Sequence, residues 1–234
     1  YLERRGQIEA YFDRTAAQAW ERLTSDAPVG RIRATVRAGR DEMRRTLLSW
    51  LPPDMSGQRL LDAGCGTGAL AAVAASRGAS VVAIDLSPTL VQLARDRWQA
   101  DPLSTTVTGK IEFLSGDMLD PALGHFDHMV AMDSLIHYDL PDLVRALDTL
   151  SQRCQGSMAF TFAPHSTLLA AMHRVGRWFP RSDRSPSLAP MRQVELQRHL
   201  SHTLGAQGWQ EGSSQRVASG FYTSQAWQWS RACA

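Results

Sequence analysis

Lysine is almost missing: Lys110 stands alone among 25 basic residues in a chain of 234. The arginine excess reads as genome composition, which is a prior and not a function. Net charge is only +2, too little for the basic footprint of a nucleic-acid binder. Cysteine is sparse as well. Cys65, Cys154 and Cys233 lie far apart without C-x-x-C spacing, so no zinc site or disulfide framework follows, and no protein-bound metal is expected. No apolar run approaches the roughly 20 residues that cross a bilayer, and no signal peptide is visible. A cytoplasmic protein is the default expectation, with peripheral membrane association left open. Internal repeats and low-complexity segments are missing too.

What is present is organised around Leu60-Leu61-Asp62-Ala63-Gly64-Cys65-Gly66-Thr67-Gly68. Two apolar residues lead into an acid, then three glycines at every second position, then the apolar run from Ala69 to Ala74. The pattern predicts a buried strand, a tight turn and a helix whose first turn faces a ligand. A dinucleotide fingerprint is formally matched by Gly64, Gly66 and Ala69. The S-adenosylmethionine (SAM) pattern, acid-x-G-x-G-x-G, explains Asp62 and Gly68 besides. An acid there can hold the cofactor's ammonium, whereas beside a pyrophosphate it would be repelled. The SAM reading is therefore preferred. Cys65 has no adjacent base and is read as a small side chain in the turn, not a nucleophile.

Strand and helix then alternate. Ser80 to Asp85 is a second strand ending in an acid, 17 residues beyond Gly68, close to the roughly 20 that set a carboxylate on a ribose diol. Leu86 follows it. Ser87-Pro88 starts the next helix. Lys110 to Leu114 alternates as a third strand and leads to Asp117 and Met118, placed to meet an adenine amino group and ring. A capped turn is the plain alternative for Asp117. Phe126 to Ala131 is a fourth strand, followed by Met132 and the loop through His137 and Tyr138. A helix over 142–150, a fifth strand over 157–162, a helix over 193–204 and a closing antiparallel pair complete the order. Ligands of such sheets bind at the strands' C-terminal rim, so Asp62, Asp85, Asp117 and the 132–138 loop should converge on one crevice. The fold class is α/β: a doubly wound, mostly parallel, seven-stranded Rossmann-like sheet.

Two stretches lie outside that alternation. Residues 1–51 form an N-terminal helical arm ahead of the domain at 52–234. Its second helical pattern carries Arg33, Arg37, Arg40, Arg44 and Arg45 on one face. That stripe is a solvated surface or, alternatively, a wall that meets an anionic substrate or the SAM carboxylate. The second stretch, about 164–191, is irregular, aromatic and basic around Trp178 and Phe179, as expected of a lid.

These residues resemble the class I SAM-dependent methyltransferases. More narrowly, the chain is similar to the magnesium-protoporphyrin IX methyltransferases of bacteriochlorophyll-making bacteria. That resemblance is carried by Tyr11-Phe12-Asp13 with Trp20, the run Arg31 to Arg40, Asp133 to Tyr138, Phe179-Pro180 with Asp183 to Pro186, and Phe221 to Ser224. It departs at Ala226-Trp227-Gln228-Trp229, where aliphatic residues are expected. The resemblance implies methylation of one propionate of magnesium protoporphyrin IX, giving the monomethyl ester and S-adenosylhomocysteine. It further implies a two-part mobile arm, a lid, and contact with magnesium chelatase at or near the photosynthetic membrane.

A propionate has a pKa near about 4.3 and is already a nucleophile at neutral pH. Groups that hold it without trapping it are wanted, so His137 is expected to orient it, with Tyr138 beside it and Tyr11 closing over from the arm. A loop histidine and a packing tyrosine are the plain alternatives. His173 is a candidate axial ligand for the porphyrin magnesium, although Mg²⁺ prefers oxygen. The rivals are a SAM methyltransferase acting on a quinone precursor, a non-catalytic SAM-binding module and a dehydrogenase. Nucleic-acid methylation lacks its N-P-P-Y-like segment after strand four.

Overall fold

The computed structural model describes residues 1–11, 13, 30–165 and 188–231. Helices α1 (Leu2–Tyr11) and α2 (Arg31–Ser49) precede β1 (Arg59–Ala63). There follow α3 (Ala69–Ser76), β2 (Ser80–Asp85), α4 (Pro88–Ala100), the single turn α5 (Leu103–Thr106), β3 (Lys110–Ser115) and β4 (Phe126–Ala131). Then come α6 (Leu140–Ser151), β5 (Cys154–Phe162), α7 (Gln193–Thr203), β6 (Trp209–Ser219) and β7 (Tyr222–Arg231).

Among the described residues the strands form one seven-stranded sheet in the order β3-β2-β1-β4-β5-β7-β6. The first five are parallel, and β7 joins β5 antiparallel and pairs with β6 as a hairpin. The order in which strands are added reverses between β1 and β4, the switch point where such folds bind ligands.

The central strands are apolar on both faces because both are covered. Leu60, Val81 and Ala83 pack with Met43 and Leu47 of α2, with Leu70 and Ala74 of α3 and with Val91 and Ala94 of α4. Leu61, Val82 and Ile84 face the other way, in the cluster that holds Leu143 and Leu147 of α6 and Leu196 and Leu200 of α7. The α4 start is as its sequence requires: the Ser87 hydroxyl accepts from the Leu90 amide and Pro88 stands at the first helical position, where its missing N–H costs nothing.

The unusual aromatic ending of the chain packs into the core. Trp227 and Trp229 are fully buried. Trp227 lies opposite Phe160 on the neighbouring strand and Trp229 opposite Met158, with Trp227 ring centroids 6.4 Å from Phe160 and 5.7 Å from Trp229. Tilted aromatic pairs at that spacing replace the aliphatic packing expected there.

Candidate active site

The turn after β1 needs its glycines for the backbone first. Gly64, Gly66 and Gly68 all have positive φ (85°, 53° and 78°), a region that side chains with a Cβ adopt at a cost. A Cβ on Gly64 would also run into Ser134, whose hydroxyl donates to the Ala63 carbonyl at 2.7 Å. The turn is thereby locked against the loop that follows β4, and the space left between them is a cavity of about 290 Å³.

Of the residues expected to bind the cofactor, Asp62, Gly64, Cys65, Gly66, Asp85, Leu86, Met118 and Met132 line that cavity, as do His137 and Tyr138. Gly68 closes the turn behind it, with its own N–H donating to the Cys65 carbonyl. Asp85 accepts from the Gly66 amide through Oδ2 (2.9 Å) and from the Ser87 amide through Oδ1 (3.0 Å). Burial raises its pKa while these amides pull it down. Its remaining lone pairs can accept two hydroxyls.

Asp62 is 1% exposed, and its Oδ2 has no hydrogen-bond partner among the described residues. Burial, and then the nearby Asp85 carboxylate, push its pKa up to about 7. An orphaned buried carboxylate oxygen facing a cavity fits a cationic ligand group that would complete it. The ammonium of SAM is such a group. The thiol of Cys65 is pushed well above its usual value, mainly by burial and then by the carboxylates of Asp85 and Asp62. That disfavours the thiolate, the nucleophilic form.

His137 ends a one-turn helix at Leu135–His137 and is buried. Its carbonyl accepts from Arg4 Nε at 2.9 Å. Tyr138 is buried and its hydroxyl is pushed up to about 12, chiefly by burial; its ring stacks on Tyr1 at 5.3 Å.

The arm helix α1 thus lies across the rim. Ile8 lines the cavity. Asp13 accepts from the Thr89 hydroxyl at 2.6 Å and from the Ser87 hydroxyl at 3.3 Å, tying the end of the arm to the start of α4. Tyr11 ends α1 one turn beyond Ile8 and does not line the cavity in this arrangement. Asp117 lies beside the lining residues Gly116 and Met118, and the arm holds it. Tyr1 donates its hydroxyl to Oδ1 at 2.6 Å and Arg5 its guanidinium to Oδ2 at 2.8 Å. The capped-turn reading of Asp117 is present too, since Oδ1 accepts from the Leu119 amide at 2.9 Å. His173, Trp20, Trp178 and Phe179, with the lid arginines Arg177, Arg181 and Arg184, lie outside the described residues.

The arginine stripe of α2 divides. Arg37, Arg40 and Arg44 line the cavity together with Asp41, whereas Arg33 and Arg45 are exposed. Arg44 pairs with Asp41 at 2.9 Å.

Sequence reading placed Asp133 in the loop at the crevice, where it lies, but gave it no role. Its φ is +55°, a left-handed conformation that costs a non-glycine residue roughly 1–3 kcal/mol and persists only where neighbours enforce it. They do. Arg40 Nη1 donates to Oδ2 at 2.7 Å and the Tyr222 hydroxyl sits 3.0 and 3.1 Å from the two oxygens. Ser224 and Thr161 donate to Oδ1, each at 3.2 Å, and the Asp133 amide donates to Thr161 Oγ1 at 2.7 Å. Tyr222 is raised well above its usual pKa, by burial first and by the Asp133 charge second. Four donors drawn from α2, β5 and β7 meet at one residue. No local pattern announces such a constellation.

Comparison with known proteins gives the family. The model of the magnesium-protoporphyrin IX methyltransferase C-terminus matches residues 131–231, and a general methyltransferase domain matches residues 60–155. The magnesium-protoporphyrin O-methyltransferase of Rhodobacter capsulatus is 48% identical over 226 residues, 96% of each chain. A ubiquinone biosynthesis O-methyltransferase of Methylocella silvestris is 32% identical over 191 residues, 74% of this chain and 71% of that protein. In fold, the chain is similar to the crystal structure of magnesium protoporphyrin IX methyltransferase from Synechocystis PCC 6803 with bound SAH. The TM-score there is 0.82 at 23% identity, over 97% of this chain and 99% of that one. On the match over nearly its whole length, the chain belongs to the magnesium-protoporphyrin O-methyltransferase family.

Proposed function

We propose that this protein transfers a methyl group from SAM to one propionate of magnesium protoporphyrin IX, yielding the monomethyl ester. The observation that carries the cofactor half is the orphaned Asp62 oxygen beside the glycine turn, with Asp85 one strand away. Asp62 would hold the ammonium, Asp85 the ribose hydroxyls, and Met118 and Met132 the apolar walls around the adenine and the methyl. Arg37 or Arg44, which also line the cavity, would meet the cofactor's carboxylate. Bound there, SAM supplies a methyl on a sulfonium sulfur, which leaves as neutral S-adenosylhomocysteine when an acceptor oxygen takes the carbon.

The protein's own part is alignment and water exclusion. An ionised propionate needs no base, so no side chain has to remove a proton. His137, buried at the cavity wall, can hold the carboxylate through one hydrogen bond and leave the attacking oxygen its electron density. Tyr11 would join it if the end of α1 swings inward. Neither role moves a proton. Handover from magnesium chelatase and contact with a membrane surface belong to the same proposal, resting on the family resemblance and on lid residues outside the described ones.

The deciding experiment is a mass-spectrometric methyl-transfer assay with SAM and magnesium or zinc protoporphyrin. A single 14-mass-unit gain on the porphyrin, and none on a quinol precursor, is the expected result. Methylation of the quinol instead would overturn the acceptor assignment, a reading that the ubiquinone-pathway relative keeps worth testing.

A further inference from the structure

Three cavity-facing arginines pose a chemical difficulty for a carboxylate acceptor. A guanidinium binds a carboxylate bidentately and strongly. Such a grip, stronger in the ground state than in the transition state, lowers KM and kcat together. Arg40 and Asp133 both line the cavity, and their side chains are 18% and 5% exposed. Arg40 donates to Asp133 at 2.7 Å, and the hydroxyls of Tyr222, Ser224 and Thr161 hold that carboxylate from three further directions.

We infer that Asp133 is a positioning residue that keeps the Arg40 guanidinium away from the acceptor propionate, leaving that propionate to His137. The three hydroxyls matter because they fix the carboxylate: it cannot turn toward the cofactor's sulfonium or follow Arg40 if the guanidinium leaves. The left-handed backbone of Asp133 is what turns its side chain toward α2 while the chain goes on to His137. Arg40 in turn neutralises a carboxylate that would otherwise repel a doubly anionic porphyrin. The two members of the pair should therefore have opposite effects on acceptor binding. This inference rests on the carboxylate-acceptor reading.

The test compares Asp133→Asn, Arg40→Gln, Arg40→Lys and the double variant Asp133→Asn/Arg40→Gln, measuring kcat and KM with zinc protoporphyrin. Calorimetry with S-adenosylhomocysteine and thermal melting run alongside. In Asp133→Asn, kcat is expected to fall at least tenfold with KM unchanged or lower, because the released guanidinium traps the acceptor. Arg40→Gln is expected to raise KM at least threefold with kcat within threefold of wild type, and Arg40→Lys to restore most of the loss. The double variant should recover at least threefold in kcat over Asp133→Asn. S-adenosylhomocysteine affinity should stay within twofold throughout.

The inference is overturned if the double variant is no better than Asp133→Asn, or if product affinity falls in step with kcat. If Asp133→Asn does not fold, the Arg40 pair decides, and a glutamine variant with unchanged KM or a lysine variant no better than it refutes the idea. Failure of the wild-type protein to methylate the porphyrin would instead remove the acceptor reading underneath.

Discussion

At the scale of single residues, the carboxylates of Asp62 and Asp85 are handled differently. Asp85 is met by the amides of Gly66 and Ser87, whereas Asp62 keeps one oxygen without a partner among the described residues. A charge-assisted hydrogen bond is worth about 1.5–3 kcal/mol. Asp62→Asn should therefore weaken S-adenosylhomocysteine binding roughly ten- to a hundredfold near pH 8, as read by calorimetry. An unchanged affinity would mean that the ammonium lies elsewhere. His137 makes the contrary prediction. On the proposed reading its imidazole orients the acceptor and does not hold the cofactor, so His137→Ala should lower kcat by about two orders of magnitude, the usual cost of a misplaced reactant. Product affinity should hold within threefold, and parallel loss of both would assign His137 to the cofactor. The sequence disclosed Asp62, Asp85 and His137 because each ends a strand or follows one, and the rim rule then gathers them. It put Asp133 at the same rim but could not disclose its partners, because nothing in positions 40, 133, 161, 222 and 224 hints that they meet.

The same contrast holds for whole elements. Strands β1 and β2 were legible from short apolar runs leading to acids, β3 from its alternation, and the helix over Pro88–Ala100 from its cap. Helix α2 was legible as a helix, but its seat was not. Gly39 sits on the face pressed against the hairpin, and a Cβ there would come 2.5 Å from Tyr222 Cδ1. In an exposed helix, glycine to alanine is worth about 1 kcal/mol of added stability. Here overpacking, about 1–3 kcal/mol, should win. Gly39→Ala is expected to lower the melting temperature by a few degrees. Because Tyr222 also holds Asp133, turnover should fall further than stability alone explains. A stabilised, fully active variant would mean that α2 rests loosely on the sheet. The aromatic ending of β7 departs from the resemblance only in composition: Trp227 and Trp229 reach the core because Phe160 and Met158 stand opposite them, which is a matter of register. Asp117 shows the limit of strand-end reasoning from the other side, since Tyr1, just ahead of α1, and Arg5 of α1 come from a segment whose docking no periodicity encodes.

For the molecule as a whole, the pKa of Asp62 links pH, stability and cofactor binding. In the unfolded chain an aspartate titrates near about 3.9, and in the folded free protein burial raises Asp62 to about 7. Between those values the folded form binds more protons than the unfolded form. By linkage, this group's contribution to stability falls as pH rises through that window, and the raised pKa of Asp85 acts in the same direction. A cationic partner reverses the preference, because it binds the charged carboxylate. Cofactor affinity should therefore be full above about pH 7 and decline by up to about tenfold per pH unit below it. At pH 8, S-adenosylhomocysteine at a hundred times its Kd adds about 2.7 kcal/mol, which for a chain of this size raises the melting temperature by roughly 5–10 °C. At the same concentration and pH 5.5 most of that rise should be gone, since the ligand must first displace a proton. Asp62→Asn removes the titrating group, so the smaller rise it shows should be nearly flat from pH 5.5 to 8. A wild-type shift that does not change with pH would show that the buried carboxylate and the cofactor's ammonium do not meet.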